Sequence, residues 1–419
     1  MNIWLIDHYS SEPKYGGISR QYDFARGLSS KGMNVLVISS SFSHFSHSYI
    51  SNEPCHISQI GDNAYYAYVH TSTYTKNNSI QRILNMFSFC RAVHKSSGKL
   101  IKEFGAPDLV VGCSIHPFTW LAAYREARKY KARYFAEVRD LWPATWIYNH
   151  GMSPYNPRAI FFGMLEKRTY TRAEKIIYSM SRGDKYICGE LGFPKEKAVW
   201  IDQPMDCERF DKNAARYDEL PLKLREFADD SFLCVFAGYY IDYEGVFEML
   251  KAAKILLDKN LPIKFVFVGS GNAEEKIHRY ADDNMLTNTY IGGRISKELI
   301  PALLRRSQVC LAHLAVRGNP NSYKFDASKN KINEYMYSGA CIIYGTCVED
   351  HFIKTSGAGY TIEPYSETEF ADTIEKVYRM KPEAQKQFGE NARKYILENN
   401  TLPKLTEKYL EIINDGQQR

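Results

Sequence analysis

The sequence has no run of about 18 apolar residues, so no segment is long enough to span a bilayer as a helix. It has no Cys-x-x-Cys pair, and its nine cysteines are odd in number. Zinc ribbons and a disulfide framework are therefore poor readings, and reduced thiols in a cytoplasmic protein fit better. Strong charge is missing too. The formal net charge is +6 with 24 % charged residues, short of the clustered surplus expected of a nucleic-acid binder. Low-complexity segments, short-period repeats and a Gly-x-Gly-x-x-Gly fingerprint are likewise lacking. His44, His47, Cys55 and His56 fit no common zinc spacing, so no metal is expected there.

What is present is length and alternation. A chain of 419 residues exceeds one hydrophobic core, so two domains are expected. Asn2 to Asp7 is an apolar run that reads as a strand rather than a signal peptide. A polar loop closing on Gly16-Gly17, a helical stretch and a second strand follow, which is the opening of a parallel sheet. Further strands are expected at 65–70, 108–113, 133–138, 175–179 and 199–202. Alternation restarts at Phe232 and runs through strands near 263–268, 289–291, 309–314 and 341–344. Two such sets predict an α/β protein of two doubly wound, Rossmann-like domains facing a central cleft. The boundary falls among Pro204, Pro221 and a charged stretch, giving residues 1–203 and 204–394, with a helical tail at 395–419.

Several segments carry candidate chemistry, each with a plainer structural reading beside it. Gly16 and Gly17 let backbone N–H groups approach an anion at a helix start, or merely form a tight turn. Gly238 and Gly269 end strands of the second set in the same way. Ser328-Lys329-Asn330-Lys331-Ile332-Asn333-Glu334 enters a helix through a basic turn suited to a diphosphate. Glu334, placed in the first turn, could accept hydrogen bonds from both hydroxyls of a ribose. The alternative is helix capping by Ser328 or Asn330, with Glu334 complementing the dipole. Glu137 and Asp140 end a strand of the first set. They could serve a sugar-transfer site, or be a buried pair with Arg139 and a turn cap before Trp142-Pro143. The basic clusters Arg125, Arg128, Lys129, Lys131, Arg133 and Lys167, Arg168, Arg172 read as solvated helix faces or as contacts for anionic lipid head groups or an acidic acceptor. Loops at 44–56 and 65–82, with their aromatic residues, read as acceptor-side elements.

Ser-x-Asn-Lys-x-x-Glu-Tyr-Met-x-x-Gly at 328–339, followed by an apolar strand, resembles the donor-binding motif of the GT-B retaining glycosyltransferases of family 4. Glu137-Val138-Arg139-Asp140-Leu141-Trp142-Pro143 resembles a loop of their bacterial fucosamine-transferase-like branch, used in surface-polysaccharide assembly. Gly16-Gly17, Ala237-Gly238, Val268-Gly269-Ser270-Gly271 and Gly389-Glu390-Asn391-Ala392-Arg393 follow in the family's order. The resemblance implies retaining, metal-independent transfer of a sugar from a UDP- or GDP-linked donor to a hydroxyl. The implied acceptor is a glycan on a polyprenyl carrier at the inner face of the cell membrane, for O-antigen or capsule, with peripheral membrane contact. Lys331 and the turn before it would hold the diphosphate, Glu334 the ribose, and Asp140 or Glu137 would help at the sugar. Asp326 stands where the family has its first glutamate, one methylene shorter. Tyr239 and Glu244 replace basic residues common after Gly238, and Lys331 or Arg294 would have to supply the missing charge. The tail would cross back to the first domain and act as a hinge. A sugar-nucleotide 2-epimerase and a non-catalytic nucleotide-sugar-binding subunit are the competing readings.

Overall fold

The structure is a computed structural model that describes every residue except 18, 77–78, 328–329, 349 and 416–419. The chain forms two compact units. One comprises residues 1–147, 151–204 and 402–419, the other residues 148–150 and 205–401.

The first unit is built on an eight-stranded sheet. Its strands are β1 (Asn2–Ile6), β2 (Asn34–Ser40), β3 (Cys55–Gly61), β4 (Ala64–Val69), β5 (Leu109–Ser114), β6 (Arg133–Val138), β7 (Lys175–Tyr178) and β8 (Ala198–Trp200). Their order is β3-β4-β2-β1-β5-β6-β7-β8, and all neighbours are parallel except β3 against β4. The second unit holds β9 (Phe232–Tyr239), β10 (Ile263–Ser270), β11 (Thr289–Gly292), β12 (Val309–Leu314), β13 (Cys341–Thr346) and β14 (Gly359–Ile362). These run parallel in the order β11-β10-β9-β12-β13-β14. Both sheets are doubly wound, with the strand order reversing beside their first strand, next to β5 and next to β12.

The sequence explains most of this. Strands covered on both faces read as unbroken apolar runs, and β5, β12 and β13 are buried at every position. The strand β3 is different: polar residues interrupt its apolar ones, most of its residues keep some solvent contact, and it lies at the sheet edge. The missed signal is the short connection Asp62-Asn63, which joins β3 to β4 as a hairpin. The segment read as a boundary contains two helices, Cys207–Ala214 and Leu222–Ala228. Asp206 caps the first by accepting a hydrogen bond from the Arg209 N–H, and Pro221 precedes the second, so these polar residues start helices rather than interrupt structure.

The return to the first unit begins at Leu402, later than the 395 expected for the tail. Residues 395–399 finish the helix Pro382–Asn399, whose Ile396 is buried in the second unit's core. The last helix, Leu402–Asp415, buries Leu405, Tyr409 and Ile413 against Phe24 and Leu28 of the first unit. Each such side chain contributes roughly 1.5–3 kcal/mol. At the crossing, a Cβ on Gly27 would stand 2.3 Å from Thr406 Oγ1, so glycine permits this close approach. Residues 148–150 group with the second unit, where the Asn149 side chain accepts from the Tyr323 N–H at 2.7 Å.

Glu166 gives the first unit a pH response. It is buried on the helix Pro157–Arg172 and accepts hydrogen bonds from the hydroxyls of Tyr170 (2.9 Å) and Tyr186 (2.7 Å). Burial outweighs both bonds and lifts its carboxyl to about 8. A raised carboxyl favours the fold while neutral, so stability is lost as pH rises from the ordinary value of 4.5 through 8. Glu166→Gln should therefore gain melting temperature over the parent progressively between pH 5 and pH 8.5, as read by thermal denaturation. A constant difference across that range would refute the assignment.

Candidate functional site

In parallel sheets ligands collect beyond the carboxyl ends of the strands, where the strand order reverses. In the second unit that point is the end of β9 beside β12. The Gly238 backbone there lies so close to Lys331 that a Cβ would come within 2.5 Å of the Lys331 Nζ. Gly269, at the end of β10, packs backbone to backbone: a Cβ would fall 1.8 Å from the Gly238 carbonyl oxygen. Gly271 does the same against Tyr240, at 2.2 Å. The glycines are therefore needed for converging strand ends.

Lys331 lies in the first turn of the helix Asn330–Ser338. Its ammonium sits 4.6 Å from the centre of the Phe236 ring and pairs with the Glu244 carboxylate at 2.5 Å. Both side chains are largely buried. The residue that breaks the family pattern after Gly238 is thus the direct partner of Lys331. Tyr335 fixes the helix to β9: its hydroxyl accepts from the Ala237 N–H at 2.8 Å and donates to the Ala237 carbonyl at 3.1 Å. Burial holds this phenol well above its ordinary range, so it keeps the proton it donates. No feature of the sequence signalled this clamp.

The remaining second-unit candidates are placed as follows. Ser328 lies outside the described residues. Asn330 opens the helix, and Glu334, half-buried, stands just past the first turn rather than within it, because the helix starts at Asn330. Asp326 is buried with a left-handed backbone (φ 67°), and its carboxylate lies 3.3 Å from His351 Nε2. His351 Nδ1 accepts from the Ile353 N–H at 3.2 Å, so Nε2 carries the proton and donates to Asp326. Tyr344 joins the group: burial, then the charges of Asp326 and Glu244, raise its hydroxyl. Arg294 is exposed just past β11.

In the first unit, β1 leads to Asp7-His8, β5 leads to His116, and β6 carries Glu137 near its end and leads to Arg139 and Asp140. Glu137 has no solvent-accessible side-chain surface and pairs with Arg20 Nε at 2.5 Å. Gln21 donates to its other oxygen at 3.2 Å. Burial pushes this carboxyl up, but Arg20 and Arg139 together with these hydrogen bonds prevail and lower it. Its partner is Arg20, not the Arg139 expected, and the pair is internal, which leaves the carboxylate nothing to offer a substrate. Arg139 instead faces Asp7 at 3.8 Å. Burial lifts the Asp7 carboxyl to about 6 against the pull of Arg139.

Asp140 is exposed at its surface, and packing around the loop raises its carboxyl, with Arg139 opposing. Gly16 and Gly17 both hold positive φ (71° and 90°), and a Cβ on Gly17 would meet the Phe45 ring at 2.7 Å. His116, which follows a strand and precedes Pro117 and reads from the sequence either as a cleft residue or as a satisfied loop histidine, is paired in the structure with His8, for which the sequence raised no expectation. His8 Nδ1 and His116 Nε2 are 2.6 Å apart, with His8 stacked on Phe89 at 4.3 Å. Burial, and Arg82 after it, depresses His116 to about 3, and burial, then His116 and Arg82, holds His8 well below the usual imidazole range, so both stay neutral and one N–H is shared. A polar pair directly after an apolar strand, as in Ile6-Asp7-His8, was the available signal. His44 and His47 meet Tyr74, and no group of three or more His, Cys, Asp or Glu placed to hold a metal ion occurs among the described residues.

Comparison with known proteins places this geometry. Residues 223–395 match the family described as glycosyl transferases group 1. No curated protein matches the chain. Among solved structures, sucrose-phosphate synthase from Thermosynechococcus elongatus shares 15 % identity at a TM-score of 0.72, over 99 % of this chain and 98 % of that one. Anabaena HepE, solved with UDP-glucose, shares 13 % at 0.67, over 99 % and 100 %. WaaG, a glycosyltransferase involved in lipopolysaccharide biosynthesis, shares 16 % at 0.64, over 98 % and 99 %. The fold is the GT-B fold of two Rossmann-like domains. With a group 1 domain covering most of its second unit, the protein is a glycosyltransferase.

The two glycines at the end of β9 and β10 should behave differently. Gly269→Ala drives a Cβ into a backbone oxygen and should cost on the order of 4 kcal/mol in urea unfolding. Gly238→Ala meets the far end of a lysine and the edge of Phe236, and should cost no more than about 1 kcal/mol. Equal losses would contradict the packing described.

Proposed function

We propose that the protein transfers a sugar from a UDP- or GDP-linked donor to a hydroxyl of a lipid-linked glycan for surface polysaccharide, with retention of anomeric configuration. The observation that carries this reading is the Lys331 ammonium held against Gly238 at the start of a helix, on the strand end where a diphosphate would lie. The likeness to HepE, solved with UDP-glucose, and to WaaG, involved in lipopolysaccharide biosynthesis, supports donor and pathway class. Helix start and lysine supply the positive charge that a leaving diphosphate needs, so the reaction proceeds without a metal.

In this mechanism the bond from the sugar's anomeric carbon to the diphosphate breaks first. The departing phosphate oxygen takes the acceptor's proton, and the acceptor oxygen bonds to the same face of the sugar. Glu334 holds the ribose. Asp140 stabilises the positive charge that develops on the sugar. Asp140→Ala should cut nucleoside diphosphate release by about 100-fold or more while leaving donor binding within a factor of about two. Full activity would remove Asp140 from the site.

Glu244 tempers the clamp and favours a second reading, a nucleotide-sugar-binding subunit without turnover. Lys331→Ala should weaken donor binding by about ten- to a hundredfold, and Glu244→Gln, which frees the ammonium, should tighten nucleoside diphosphate binding. Calorimetric titration checks both. Donor binding without any diphosphate release, across a panel of acceptors, would establish the second reading, and release of an isomerised nucleotide sugar would establish an epimerase.

A further inference from the structure

No helix among the described residues is long and apolar enough to cross a membrane. Yet the first unit carries large apolar side chains in solvent at one edge. On the helix Ile80–Phe104, Ile80 (76 % exposed), Leu84 (58 %) and Phe87 (51 %) lie along one face, with Ile83 beside them. Leu121 is exposed on Phe118–Tyr130, as are Phe161 and Met164 (62 %) on Pro157–Arg172. These are one surface rather than scattered residues. The Phe87 ring meets Phe118 at 4.7 Å, Phe118 meets Phe162 at 6.0 Å, and Phe162 meets Phe161 at 5.2 Å.

A second pattern is superimposed on the first. Arg91 follows Phe87 by four residues, Arg125 follows Leu121 by four, and Arg168 follows Met164 by four, and all three are exposed. The first two helices thus present apolar groups near their starts, Pro157–Arg172 presents Phe161 and Met164 in its first half, and each carries a guanidinium one turn, about 5.4 Å, further on. Carboxylates are nearly absent. Of those on the three helices, Glu126 and Glu166 are buried, and Glu103 lies at the far end of its helix. Each helix is a crossover of a parallel sheet, so all three start at the carboxyl edge of the strands, the edge that holds His8, His116 and Asp140.

We propose that this edge docks the first unit on an anionic lipid surface. The apolar residues enter the boundary of the acyl chains and the three arginines sit at the level of the head groups. The surface would bring a lipid-borne hydroxyl to the strand ends where the acceptor is expected, and in that respect it rests on the function proposed above. Isolated apolar burial would equally suit a second copy of the chain. Three exposed arginines on the helices against the exposed carboxylate of Asp140 leave this face cationic, which favours the lipid, because two such faces would repel each other.

The test is flotation of the full chain with phosphatidylcholine vesicles and with the same vesicles containing phosphatidylglycerol. Binding should require phosphatidylglycerol and fall at high salt. Leu84→Ser with Phe87→Ser, and separately Arg91→Glu with Arg168→Glu, should each weaken it by about tenfold or more. Both variants should keep the parent's cooperative thermal unfolding, which shows that they are folded. Equal recovery with and without anionic lipid, parent-like binding by both variants, or a dimer in solution that the serine variant dissolves would each overturn the proposal. Donor binding and diphosphate release are measured separately. Their failure with vesicle binding intact would refute the transferase reading and not the docking surface.

Discussion

Parallel strand pairing is the constraint on which the rest of this molecule depends. A parallel neighbour must be reached by a crossover, so every helix of a βα unit begins at the same edge of its sheet. That edge collects helix N-termini, strand-end glycines and the polar residues that follow apolar runs. In the second unit it brings Gly238, Gly269, Glu244 and Lys331 together from widely separated positions. In the first it gathers Asp7, His8, His116 and Arg139, and it aligns the starts of three helices whose apolar residues remain in solvent.

Charge is handled differently in the two units. In the second, Lys331 and Glu244 form a close, largely buried pair with Phe236 beneath the ammonium. A buried pair of this kind gains little net stability, because desolvation consumes the attraction. It does fix the position of the ammonium. In the first unit, Arg20 and Glu137 are wholly interior, and Arg20 also donates to the carbonyls of Ile201 (2.8 Å) and Asp202 (2.5 Å). That network ties β6 to the end of β8 and to the helix Arg20–Ser29, which makes Glu137 an architectural residue.

The sequence by itself determined the fold class and most strands, because apolar runs of strand length between helical segments leave few alternatives to a doubly wound parallel sheet. It also singled out the segment around Lys331 and the glycines that end β9 and β10, since a basic turn at a helix start has a local chemical logic. The tertiary structure decided the partners. That Glu137 meets Arg20, that Lys331 meets Glu244, that Asp326 meets His351 and that Tyr335 clamps Ala237 are contacts across 25 to 117 residues of chain. No local pattern encodes them, because a side chain's partner is set by which strand ends and helix starts converge in space. The apolar and basic residues of the three first-unit helices were each visible in the sequence, and only their common edge made them one surface.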